Sequence, residues 1–139
     1  MTDRTALGDR MKGYERLEAP SSGYVEQVFE HEPASEPDGG VPAAVVNRRL
    51  GLGLYEVFRR KELPRFFVWR MLGEGTYVVG IEPSTNRTAG RLDARERGEL
   101  IVLRAGESRS YDLELGALDG TAEIETFAAR VDAAAGSPA

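Results

Sequence analysis

Short β-prone runs, each cut off by glycine or proline, recur along this chain. That rhythm constrains the fold more than any other feature. Residues 24–30 (YVEQVFE) open the series, with Val25, Gln27 and Phe29 on one face. Residues 43–47 (AAVVN) and 51–58 (GLGLYEVF) follow, then 66–72 (FFVWRML) behind Pro64. The turn Gly73-Glu74-Gly75 leads into 76–81 (TYVVGI), so the last two runs read as a hairpin with a loop of about three to five residues. Pro83 has no N–H to donate, and pairing is expected to stop after Glu82. Further on, 100–103 (LIVL) reads as a short buried strand. Residues 108–115 (SRSYDLEL) alternate, with Tyr111, Leu113 and Leu115 on one face, as a half-buried antiparallel strand does. The period then changes. Ile124, Phe127, Ala128 and Val131 fall at i, i+3, i+4 and i+7, which predicts an amphipathic helix over 121–134, stopped by Gly136-Ser137-Pro138. Strands of this length joined by close turns, followed by one helix, predict an all-β, mainly antiparallel sandwich or barrel with a short C-terminal helix.

The remainder is punctuation. Residues 1–22 show no period and read as an N-terminal arm, partly ordered. Residues 32–42 are rich in Pro, Gly, Ser and acids and read as a loop. Residues 83–99 form a long polar connection with room for one helical turn at 91–97. The body of the fold is expected over 23–134, with 135–139 a flexible tail. Gly51-Leu52-Gly53 is no dinucleotide-binding loop, because a strand follows it and not a helix.

Composition narrows the function. The chain of 139 residues has 18 Lys+Arg against 23 Asp+Glu, a net charge of −5. This argues against a nucleic-acid binder, whose footprint is a basic face. No run of about 18 apolar residues is present to span a membrane, and Met1-Thr2-Asp3-Arg4 lacks the pattern of a secretory signal. The expectation is a cytoplasmic protein with neither nucleic acid nor membrane as partner. With no cysteine there is no thiol nucleophile and no Cys-ligated zinc. His31 is the single histidine, so no plan needing two histidines fits one chain. Sixteen of the 18 basic residues are arginine, which suits bidentate recognition of carboxylate or phosphate, although a composition rich in Ala, Gly and Arg also accounts for it. Seven acids against Arg16 crowd 15–38, and five bases against Glu62 crowd 59–70, an asymmetry that usually marks solvated faces.

Glu82 is the best local candidate for chemistry. A carboxylate at the end of an apolar strand is held by a rigid element and opens at a rim, and partial burial there can raise its pKa toward that of a general base. The plain alternative is a strand-end carboxylate facing water or an arginine. His31, between Glu30 and Glu32, reads as a solvated strand end, with metal binding the weaker option. Trp69 offers an apolar platform for a sugar ring but is as readily a core residue. Asn86-Arg87-Thr88 matches a glycosylation sequon by chance, and no Ser/His/Asp constellation exists.

The stretch from Trp69 through Gly73-Glu74-Gly75 to Gly80-Ile81-Glu82-Pro83 resembles the C-terminal part of aldose 1-epimerase-like proteins. The likeness is nearest to the DUF4432 branch of the galactose mutarotase-like superfamily. It runs from about Gly23 to Phe127 and includes Glu26-Gln27-Val28-Phe29, Gly90-Arg91, Leu103-Arg104-Ala105-Gly106-Glu107 and Tyr111-Asp112-Leu113-Glu114-Leu115-Gly116. The resemblance implies a large antiparallel β-sandwich, of which this chain carries a portion. It also implies an enzyme that opens and recloses a sugar ring, a carboxylate base taking the C1 hydroxyl proton while a histidine acid protonates the ring oxygen. Glu82 matches the base. Asn86, Arg91, Arg70 and Trp69 are the expected sugar contacts. Proton transfer alone suffices, so neither cofactor nor metal is implied.

Two departures qualify the likeness. Family members are much longer, and their acid histidine lies in an N-terminal half that this chain lacks. His31 does not match it. The expected ligand is an aldose, and the expected partner is a second copy or a missing N-terminal half, because half a sandwich leaves apolar faces uncovered. The alternatives are a non-catalytic carbohydrate-binding or interaction module, and a structural fragment with no function alone.

Overall fold

The recurring runs become strands where another run is available to pair with them. A computed structural model describes residues 15–136. Their elements are β1 (Gln27–His31), β2 (Gly40–Asn47), β3 (Leu52–Arg59), β4 (Arg65–Gly73), β5 (Thr76–Ser84), α1 (Arg91–Glu96), β6 (Leu113–Asp119) and α2 (Thr121–Gly136). They form two three-stranded sheets, ordered β1-β4-β5 and β2-β3-β6. The all-β, mainly antiparallel class and the C-terminal helix are as the sequence predicts. The chain divides into two compact units, one of Phe67–Glu82 with the chain up to His31, the other of Glu32–Phe66 with the chain from Pro83 on. Residues 1–14 of the expected arm and 137–139 of the expected tail lie outside the described residues.

In the second unit β3 is the central strand. It pairs antiparallel with β2, Gly40 opposite Arg59 and Asn47 opposite Leu52, and with β6, Leu52 opposite Asp119 and Phe58 opposite Leu113. Directly opposed residues share a face. One face therefore carries Ala44, Tyr55, Val57 and Leu118, and α2 covers it. Ile124 and Phe127 pack on Val57 and Leu118, with Ala44, Tyr55 and Val131 at the margin. The Tyr55 ring lies 4.8 Å from that of Phe127, in space that a side chain at position 116 would occupy, which is why Gly116 stands opposite it. Arg130 of α2 clamps Glu36 with two hydrogen bonds of 2.7 and 2.8 Å, and the Arg59 guanidinium donates to Asp38 at 2.8 Å. Both carboxyls are held below their ordinary pKa by those arginine hydrogen bonds. Pro42 is accommodated because β2 is an edge strand.

The first unit holds β1, most of β4 and most of β5. Phe29, Phe67 and Leu72 are buried. The end of the leader is fixed here. Ser21 bridges to Gly73, its N–H donating to the Leu72 carbonyl at 3.0 Å while its own carbonyl accepts from Glu74 N–H at 3.2 Å. The Tyr77 hydroxyl donates to the Glu18 carbonyl at 2.6 Å.

Three local expectations are corrected. The β4–β5 loop is the tighter Glu74-Gly75 connection, with Gly75 at φ 78°, a backbone that favours glycine. Strand β5 runs through Pro83 to Ser84, which is tolerated because β5 is the outer strand of its sheet. Residues 100–112 form no strand at all. Their β-prone pattern finds no partner strand among the described residues, and a lone strand leaves its backbone groups unpaired.

Candidate functional site

Glu82 is the one carboxylate of β5, exposed and two residues from the strand's end. Residues two apart on a strand share a face, and the Glu82 side chain folds back over Gly80. A Cβ built at position 80 would collide with the Glu82 carboxylate oxygen. The glycine thus provides the space in which this carboxylate lies. In the same unit, Trp69 of β4 is half-buried and donates its indole N–H to the Glu26 carboxylate at 3.1 Å.

Arg70 takes a different place from the one expected of a sugar ligand. Only 5% of it is exposed. Its Nε and Nη2 donate to Gln27 Oε1 at 2.9 and 2.7 Å, and its Nη1 donates to the Arg16 carbonyl at 3.2 Å. The guanidinium also stands 4.8 Å above the Phe29 ring. Every part of the fork is engaged inside the unit, where it joins β1, β4 and the leader. His31 ends β1, and burial lowers its pKa against an opposing pull from the Glu15 charge. Among the described residues no group of three or more acidic, histidine or cysteine side chains is placed to hold a metal ion.

Asn86 and Arg91 are brought together in the second unit. They line one cavity of about 230 Å³, near the small end of ligand sites, with Gly90, Glu99, Leu100 and Ile101 also in its wall. The loop after β5 shapes it. The Ser84 hydroxyl donates to the Asn86 carbonyl at 3.1 Å, and the Asn86 side-chain amide donates to the Arg87 carbonyl at 2.9 Å. Arg91 opens α1 behind Gly90, whose φ of 91° again requires glycine. Glu99 was not singled out by sequence. Arg65 and Arg87 hold it at 3.3 and 3.5 Å, which fixes an acceptor in the cavity wall. Its signal in the sequence is only one acid in a charged, turn-rich stretch. A second cavity, of about 300 Å³, lies at Arg59, Tyr111 and Asp112 and includes none of the expected site residues.

Glu56 is the other residue that sequence reasoning passed over. It sits mid-strand on β3, 4% exposed, and its Oε1 has no hydrogen-bond partner. Burial pushes its pKa up to about 7. A signal was present. In the alternation Leu52, Leu54, Glu56, Phe58, a single charge interrupts an apolar face.

The family is given by one comparison with known proteins. The model of DUF4432, a domain of unknown function, matches residues 2–117. The chain belongs to the DUF4432 family. No curated protein matches this DUF4432 chain significantly. Among solved structures it is similar to one described as a "putative aldose 1-epimerase" from Klebsiella pneumoniae subsp. pneumoniae MGH 78578, with a TM-score of 0.79 and 25% sequence identity. The match covers 86% of this chain and 32% of that one, so the DUF4432 chain spans about a third of the length of that solved relative. Its fold is of the aldose epimerase type. Among the described residues no helix is long and apolar enough to cross a membrane.

Proposed function

We propose that this DUF4432 chain carries the base side of an aldose 1-epimerase-type site, with Glu82 as the general base. The carboxylate removes the proton from the C1 hydroxyl of a cyclic aldose. The C1–O bond to the ring oxygen breaks as C1 becomes a carbonyl, and the ring oxygen takes a proton from a general acid. Reclosure on either face of the carbonyl interconverts the anomers. Trp69, in the same unit as Glu82, is the proposed apolar contact; Asn86 and Arg91, the hydroxyl contacts that the resemblance implies, line a cavity of the second unit with Glu99. Arg70, its fork engaged on Gln27, the Arg16 carbonyl and the Phe29 ring, is not among the proposed contacts.

The observation that carries this reading is the pairing of Glu82 with Gly80. The carboxylate lies over Gly80 where a Cβ would displace it, which supports a defined place for the base. The test is mutarotation of freshly dissolved α-aldoses, followed by polarimetry or NMR. Glu82→Gln should abolish acceleration above background. Gly80→Ala, which displaces the carboxylate without removing it, should reduce the rate by roughly 10-fold to 100-fold with the fold retained. Equal rates in wild type and Glu82→Gln would refute Glu82 as the base. One observation favours a second reading, a non-catalytic carbohydrate-binding module: the single histidine, His31, does not match the family's acid. Sugar binding without turnover, unaffected by Glu82→Gln, would establish that reading instead.

A further inference from the structure

The cavity beside α1 has a charge balance unlike that of the chain as a whole, whose net charge is −5. Around it three guanidinium groups meet one carboxylate. Arg65 and Arg87 hold Glu99 at 3.3 and 3.5 Å. Arg91 lines the cavity with Glu99 and is exposed at the start of α1. Among the described residues no ion pair or hydrogen bond engages its side chain. Asp93, the acid nearest to it along the helix, is taken by Arg97 at 2.8 Å, and residues two apart on a helix do not face each other. The charge of Glu99 is thus answered by Arg65 and Arg87, and that of Arg91 is left over.

The wall defines what would answer it. Arg91 offers five N–H donors in a planar fork, which matches the paired oxygens of a carboxylate or phosphate. A carboxylate has about four lone-pair sites, so Glu99, held by two arginines, still has places for hydroxyl donors. Asn86 shapes the cavity more than it binds. Its side-chain amide donates to the Arg87 carbonyl at 2.9 Å, and its Oδ1 accepts from the Thr85 hydroxyl at 3.3 Å. Ala94 and Leu100 supply apolar wall. The volume of about 230 Å³ lies below the roughly 300–1,000 Å³ of drug-sized ligand sites, so a single ring or a short carbon chain fills it. Other occupants fit less well. Among the described residues no three acidic, histidine or cysteine side chains are grouped to hold a metal ion. A neutral sugar would satisfy Glu99 but leave the Arg91 fork without the paired oxygens that it matches.

We propose that the cavity of Arg91 and Glu99 is a binding site for a small hydroxylated oxyanion: a sugar acid, a hydroxy acid or a sugar phosphate. The carboxylate or phosphate pairs with Arg91, a hydroxyl donates to Glu99, and the carbon skeleton meets Ala94 and Leu100. Arg91 then takes an anionic group where the resemblance implies a hydroxyl. The site lies wholly within the second unit, and it does not depend on Glu82 being a base.

The experiment is titration of the full chain, followed by heteronuclear NMR of its backbone amides, with gluconate, glucose 6-phosphate, inorganic phosphate and glucose as separate probes. Gluconate or glucose 6-phosphate should shift the amides of residues 85–101 saturably, and the tighter of the two identifies the oxyanion. Glucose should bind at least roughly 10-fold more weakly than that probe. Arg91→Gln should weaken both anionic sugars by roughly 10-fold to 100-fold. Arg95→Gln, on α1 but outside the cavity wall, should leave them unchanged. Glu99→Gln separates a built site from loose attraction to positive charge. It removes a negative charge, so inorganic phosphate should bind as well or better, while the advantage of glucose 6-phosphate over inorganic phosphate should shrink. The proposal is overturned if no probe gives saturable shifts, if glucose binds as tightly as the anionic sugars, if Arg91→Gln leaves their binding unchanged, or if Glu99→Gln keeps that advantage whole. The readout is binding and not turnover, so its failure is distinct from a failure of Glu82 as the base.

Discussion

Glu56 shows how much one residue can alter the behaviour of a sheet. A carboxyl in mid-strand, buried with one oxygen unpartnered, resists ionisation, and its pKa rises to about 7. In the unfolded chain it ionises near the ordinary carboxylate value of about 4.3. The folded state therefore binds the proton more tightly, and stability falls as pH rises between those two values, levelling off above 7. Glu36 and Asp38, held low by Arg130 and Arg59, act in the opposite direction and in a lower window, where stability is lost as pH falls beneath their ordinary values. The unfolding free energy from urea titration should thus decline from pH 5 to pH 7.5 by an amount on the order of 2 kcal/mol, with the midpoint falling in step. Glu56→Gln, neutral at every pH, should flatten that decline. An unchanged slope in the variant would assign the pH dependence to other groups. The sequence carried a hint of this residue, a lone charge in an apolar alternation. Its pKa was not legible, because burial depends on what the fold lays over position 56.

At the scale of elements the sequence was most readable where pattern and pairing coincide. Strands β2 to β5 and the helix α2 fall close to the runs that predict them, since period-two alternation and the i, i+3, i+4 stripe report the buried face directly. Residues 100–112 misled for the complementary reason: propensity states that a segment can pair, never that a partner is present. Arg70 is the corresponding case for side chains. An arginine on a strand near a candidate site reads as a ligand, and only tertiary structure shows its fork closed on Gln27, the Arg16 carbonyl and the Phe29 ring. A lysine cannot reproduce that planar fork. Arg70→Lys should therefore lower the stability of the chain by about 2–3 kcal/mol, read from chemical denaturation, while leaving the apparent affinity for a sugar unchanged. A weakened affinity at undiminished stability would instead make Arg70 a ligand.

The whole molecule poses the question of where the second proton comes from. Ring opening removes a proton at C1 and delivers one to the ring oxygen, and a positioned acid contributes about 10²–10⁴-fold to such a step. The proposed base is on this chain. The only histidine, His31, sits at the end of β1, where burial lowers its pKa. The solved relative has additional chain beyond the matched third. If the acid is supplied by chain equivalent to the unmatched part of that relative, this chain alone should accelerate mutarotation weakly, and the same chain spliced into the Klebsiella protein in place of its matched third should exceed it by roughly 10²–10⁴-fold. Glu82→Gln should remove the activity of both, since neither route dispenses with the base. His31→Asn should change neither. A slower rate in His31→Asn for the chain alone would locate the acid on β1, with the full proton relay contained in these 139 residues.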